Sequence, residues 1–243
     1  SLQGAAAAGA TVLSAACQPL AQQLPFAPLA DALGRYLQNL PTALLRQLPT
    51  ASLTQLGQLL PSVQDRLPEL TPPYYAGFPN EPVGESDDKR QRVIDSLIAF
   101  LVTLASATPL VLFLDDLQWA DSDTLAVLSR LAPRLARWSL FVLLAYRTDD
   151  LAENEELNIL LHTLRRTNQQ LSLTVSRLAH ADVQHYIHQM TGQSPAISDQ
   201  LAAVLYQATQ GNALFVTEAL RDLQERHLST HLPTAAPGDT WAR

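Results

Sequence analysis

Asp115 and Asp116 stand side by side at the end of an unbroken apolar run, Leu110-Val-Leu-Phe-Leu114. Two adjacent carboxylates in that position suggest a Mg²⁺–nucleotide site. A hard cation takes oxygen ligands, and phosphoryl transfer needs a positioned nucleophile. On this reading Asp115 holds Mg²⁺ through water and Asp116 orients the attacking water. The plainer alternative is that the two acids only end a strand and begin a turn. Arg147 closes the next apolar run, Ser139 to Tyr146, and would emerge on the same rim. A cation there can sense a γ-phosphate, or it can pair with a neighbour such as Asp149.

These residues need a scaffold that gathers strand ends. Ligands of open α/β sheets bind at the carboxyl ends of the strands. A strand that is apolar on both faces suits the centre of a parallel sheet, where helices cover both sides. Four segments read as strands: 11–16, 110–115, 139–146 and 171–175. Helical patterns lie between them, which argues an α/β fold with parallel strands and right-handed crossovers. Pro25 to Leu40, Ser52 to Leu67, Arg92 to Ala107, Asp121 to about Ala136 and Asn154 to Arg166 carry apolar residues at helical spacing. The stretch between the first two strands is long and carries its own helices, so it reads as an inserted helical layer at about 19–107. Thr71 to Arg90 is rich in Pro, Gly and charge and reads as an exposed loop. Beyond residue 177 the pattern is helical throughout: 181–190, 198–209 and 213–226.

Other residues invite chemistry less strongly. Trp119 could border a ligand, but an aromatic at a helix start reads better as a packing anchor. Asp121 and Asp123 read as helix-start residues, with Asp121-Ser-Asp-Thr124 supplying an N-cap. Gly211-Asn212 reads as a left-handed turn between two helices, with Leu214 and Phe215 facing a core. His185 and His188, with His180 upstream, have metal-compatible spacing on a helix, yet a solvated face is the better reading.

Composition excludes several classes. The chain has 243 residues, 47% hydrophobic, and a formal charge of −7. Such an acidic chain is a poor holder of nucleic acid, whose non-specific affinity comes from Lys and Arg. Cys17 is the only cysteine, so no internal disulfide forms, and a reducing, cytoplasmic setting is expected. No apolar run reaches the ~18–20 residues of a membrane helix. Ser1 to Gly9 reads as the tail of a helix that begins upstream, and Leu232 to Arg243 as a linker into a further domain. An acid pair of this type normally works beside a P-loop, GxxxxGK followed by Ser or Thr. These residues contain none, and the only lysine, Lys89, has no glycine frame.

Together these pieces resemble one family. Leu112-Phe-Leu-Asp-Asp-Leu-Gln-Trp-Ala-Asp121 resembles the Walker B element of STAND-class ATPases, the AAA-related domains of large bacterial LuxR-type regulators, adenylate cyclases and kinase fusions. Leu143-Leu-Ala-Tyr-Arg147 resembles that family's strand ending in a sensor arginine. Gly211-Asn-Ala-Leu-Phe-Val-Thr-Glu218 resembles its lid motif, and Gly9 to Leu13 through Pro25 to Leu29 the segment after its P-loop helix. The resemblance implies a partial P-loop-NTPase-type parallel sheet over residues 1–176, an all-α lid over 177–230 and a linker over 231–243. The central P-loop strand would lie just before residue 1, between the strands at 139–146 and 171–175. It also implies ATP and Mg²⁺ as cofactors, Asp116 as the catalytic carboxylate, and Asp115, Arg147 and Asn212 at the nucleotide. Ala213 stands where the family's lid carries a proline that contacts the adenine region. Partners would be other domains of the same polypeptide and further copies of the chain, with no nucleic acid and no membrane. A rival expectation is a degenerate module that binds no nucleotide and serves as a protein-interaction scaffold.

Overall fold

The structure is a computed structural model that describes residues 1–70, 85–166, 170–192 and 194–225. The chain forms two compact units, Ser1–Leu171 and Ser172–Arg243.

In the first unit β1 (Thr11–Ala16), β2 (Leu110–Asp115) and β3 (Leu140–Leu144) make a parallel sheet in the order β1-β2-β3. Ala16 lies opposite Asp115, and Phe113 opposite Leu143. The helix α1 (Leu2–Ala7) precedes β1. Between β1 and β2 run α2 (Ala27–Leu37), α3 (Thr42–Leu45), α4 (Thr50–Leu59), α5 (Pro61–Arg66) and α6 (Glu85–Ala107). Between β2 and β3 comes α7 (Ser122–Leu131), and α8 (Glu155–Arg166) follows β3. The second unit contains α9 (His180–Thr191), α10 (Pro195–Thr209) and α11 (Ala213–Glu225). Its own small core is built from Val183, Ile187, Ala202, Leu205, Val216 and Leu220.

The order β1-β2-β3 decides which face of the sheet is covered. Crossovers between parallel strands are right-handed almost without exception. A sheet that grows in one direction therefore receives every crossover helix on the same side. Leu13, Leu110, Leu112, Leu114 and Leu140 on that side share one buried cluster with Leu29 and Leu33 of α2, Leu97 and Leu101 of α6, and Val127 of α7. Each such leucine contributes about 1.5–3 kcal/mol by leaving water. The opposite face is open. Val111 and Phe113 are half-buried there, and Phe141 and Leu143 are 61% and 39% exposed. The expectation that helices cover both faces of the 110–114 run thus fails within the described residues.

Other boundaries also move. Pro61 divides the segment expected at 52–67 into α4 and α5. Pro133 turns the end of α7 into a 3₁₀ stretch, Ala132–Arg137, because a proline inside a helix removes a donor. The segment 139–146 contracts to Leu140–Leu144. Helix α6 begins at Glu85 and not near Arg92, so its first turns are the charged stretch that reads as loop. The rest of the expected loop, 71–84, lies outside the described residues, as does the linker at 231–243. Residues 171–175 form no strand. Leu171, Leu173 and Val175 are exposed. Alternation is a local property, whereas a strand needs a paired neighbour.

Candidate functional site

The carboxyl ends of β2 and β3 form one hydrogen-bonded rim. The Ala145 N–H donates to the Leu114 carbonyl at 3.0 Å, and the Leu117 N–H donates to the Ala145 carbonyl at 2.9 Å. On the other side the Cys17 N–H donates to the Asp115 carbonyl at 2.9 Å. The ladder therefore continues past the last strand residues and fixes the main chain around the acid pair.

Asp115 ends β2 on the open face of the sheet, half-buried. One of its carboxylate oxygens accepts the Asp116 N–H at 2.9 Å. A cleft of about 360 Å³ opens beside it, lined by Ser14, Ala16, Arg35 and Phe113 among others. Asp116 is exposed and lies in the left-handed region, φ 51° and ψ 43°. Aspartate tolerates that region better than most residues, and held backbone conformations of this kind recur at functional sites.

The residue that organises the rim is one that sequence reasoning overlooks. Gln118 is 3% exposed, in the 3₁₀ turn Leu117–Trp119. Its Nε2 donates to Asp116 Oδ1 at 3.1 Å, and its Oε1 accepts the Arg147 N–H at 3.2 Å. Its own carbonyl accepts from Asn154 Nδ2 at 3.2 Å, while Asn154 Oδ1 caps α8 through the Leu157 N–H at 2.8 Å. The one signal in the sequence is an amide between Leu117 and Trp119, among apolar residues.

Arg147 reaches this rim by its main chain. Its guanidinium is largely exposed and pairs with Asp150, Nε to Oδ2 at 3.6 Å, and not with Asp149. Trp119 packs against the core. Asp121 is buried and caps α7, accepting the Thr124 N–H at 2.9 Å and the Thr124 hydroxyl at 2.7 Å. The same carboxylate accepts the Phe26 N–H at 2.8 Å, which holds Phe26 at φ 60°. Asp123 pairs with Arg90, whose guanidinium holds its proton more firmly because of that bond. Burial, followed by the charges of Asp121, Asp116 and Asp115, pushes the Cys17 thiol up to about 12. That dependence marks a convergence of negative charge around the end of β1.

Asn212 belongs to the second unit. Its Oδ1 accepts the N–H groups of Leu214 at 3.1 Å and Phe215 at 3.5 Å, so it caps α11. Gly211, at φ 72°, precedes it, and a Cβ there would collide with the Leu178 carbonyl oxygen. Leu214 and Phe215 do not face the core; both are exposed, and Val216 and Leu220 supply the buried side of α11. His185 bonds Gln189 along α9 at 2.9 Å. Among the described residues no group of three or more His, Cys, Asp or Glu could hold a metal ion, and no helix is long and apolar enough to cross a membrane.

A family model for an AAA ATPase domain matches residues 1–144. The chain belongs to the AAA ATPase domain family. No curated protein and no solved structure matches it. The matched span of this AAA ATPase domain contains Asp115, Asp116 and Gln118 and ends at the last residue of β3. Arg147 and Asn212 lie beyond it.

The family's ligand is ATP with Mg²⁺, and the described residues of this AAA ATPase domain fit one half of it. Two oxygen-only carboxylates suit Mg²⁺, which keeps several waters and takes one or two acids plus phosphate oxygens. The phosphate half has no counterpart among the described residues. A phosphate nest needs successive backbone N–H groups, usually on glycines. In the first unit the described glycine with positive φ is Gly9, at the amino end of β1, opposite the acid rim. The described residues alone therefore lack the phosphate grip that phosphoryl transfer needs.

Proposed function

We propose that these 243 residues are the acid-bearing part and the lid of an ATP-driven switch module. The module would belong to a multidomain bacterial signalling protein or transcriptional regulator of the STAND class. The observation that carries this reading is the acid pair at the carboxyl end of the central strand of a parallel sheet. In it Asp115 binds Mg²⁺ through water, Asp116 orients the attacking water, Arg147 senses the γ-phosphate, and Asn212 contributes from the lid. Residues outside these 243 supply the P-loop. Its strand would extend the sheet beyond β3. Its helix would then return across the open face, where Leu2 of α1 already lines the cleft. The setting is cytoplasmic, and the partners are other domains of the same polypeptide and further copies of it. Direct contact with nucleic acid is not part of the reading.

The test is calorimetric titration of the 243-residue chain with ATP and Mg²⁺. Weak or undetectable binding is expected. Two acids and an arginine cannot replace a lysine and a cradle of N–H groups, and the acids repel phosphate where Mg²⁺ is absent. A sub-micromolar dissociation constant would rule out the proposed division of labour. A polypeptide that carries a P-loop ahead of these residues should bind and hydrolyse ATP.

The exposed Phe141 and Leu143 favour a second reading, a degenerate module that binds no nucleotide and serves as a protein-interaction scaffold. It predicts no hydrolysis even with the upstream residues present.

A further inference from the structure

We propose that Gln118 is the positioning residue of the acid pair, holding the Asp116 carboxylate and joining it to the rim of β3. The proposal rests on the reading above that Asp116 orients a water. Asp116 and Arg147 lie 31 positions apart by residue number, 147 against 116, and Gln118 bonds to both.

The direction of the carboxamide follows from its partners. A carboxylate oxygen only accepts, and a peptide N–H only donates. One orientation of the amide satisfies both; the flipped one sets acceptor against acceptor and donor against donor. An apolar side chain of similar length would fill the same buried space, but it could not join an acceptor to a donor. Asn154 adds a second anchor, because its side chain fastens the Gln118 carbonyl to the start of α8.

What the bridge supplies is orientation. Asp116 is exposed, so its carboxylate would otherwise sample several rotamers. Gln118 holds Oδ1 and leaves Oδ2 as an acceptor in a defined direction. A general base needs that direction more than it needs strength, since small misplacements cost large factors in rate.

The test uses a polypeptide carrying a P-loop together with these residues. Gln118→Met keeps the volume and removes both hydrogen bonds. Gln118→Glu keeps the Arg147 contact and sets carboxylate against carboxylate. Both are expected to lower kcat for ATP by about tenfold or more with KM little changed. Thermal midpoints without nucleotide supply the second readout. Gln118→Glu should lower the midpoint, and adding Asp116→Asn should raise it again, because the new amide donates to the new carboxylate. Turnover should stay low in that double variant. The proposal is overturned if both single variants turn over ATP at the parent rate, or if Asp116→Asn fails to raise the Gln118→Glu midpoint. A parent that hydrolyses no ATP would instead count against the ATPase reading, and the midpoint exchange alone would then decide the bridge.

Discussion

Two residues at the rim carry opposite expectations for reactivity. Asp116→Asn, in a polypeptide with a P-loop, should slow hydrolysis by about a hundredfold while nucleotide binding survives, as befits loss of a general base. A turnover assay beside a binding titration separates the two effects, and an unchanged rate would leave Asp116 as a strand-end residue. Cys17 should be inert. Burial and three nearby carboxylates raise its thiol to about 12, so the folded chain holds the proton where the unfolded chain releases it. The sign follows: the contribution is complete below the ordinary thiol value and is lost as pH rises from there toward 12. The parent should therefore lose stability more steeply than Cys17→Ala across that alkaline window, read as denaturant midpoints. Native Cys17 should also resist a thiol reagent that labels it readily once unfolded. Equal slopes for the two proteins would mean that the thiol titrates alike folded and unfolded.

At the scale of elements, Asp121 is the joint between α7 and the chain entering α2. Asp121→Ala removes an N-cap, about 0.5–2 kcal/mol, and leaves the Phe26 N–H without its acceptor, about 1–3 kcal/mol more. A loss of roughly 1.5–5 kcal/mol in chemical denaturation is expected by adding those terms; a loss under half a kcal/mol would mean that water replaces the carboxylate. The cap was legible in the order Asp-Ser-Asp-Thr, and so were the strands at 11–16 and 110–115, because apolar runs and capping residues are local signals. Gln118 was not. A single amide between Leu117 and Trp119 has no period, and its meaning appears only when two strand ends come side by side. The start of α6 was hidden for a similar reason: its first turns are charged, and charge beside proline and glycine reads as loop. The segment 171–175 erred in the other direction, having a strand's alternation without a strand's neighbour.

For the whole molecule, the sheet face and the outer edge of β3 that stay uncovered among the described residues of the first unit are the features that most affect behaviour in solution. Leu140 to Tyr146 carries no charge, and an unprotected apolar edge is a template for another chain. Residues 171–175, expected as a strand, form none. Association of the 243-residue chain is therefore expected to rise with concentration in sedimentation velocity, and Phe141→Glu should suppress it. A clean monomer across the accessible range would remove the edge from consideration. The sheet also has a history in time. Thr11 pairs with Leu110, and Ala16 with Asp115. A ribosome adding 5–20 residues per second needs on the order of 5–20 s to make the ~100 residues between them. During that interval β1 is complete but has no partner, while α2 to α5 and much of α6 emerge and can pack locally. The helical stretch is thus made before the sheet it will cover, and β1, short and carrying Thr11 and Ser14, waits for its partner.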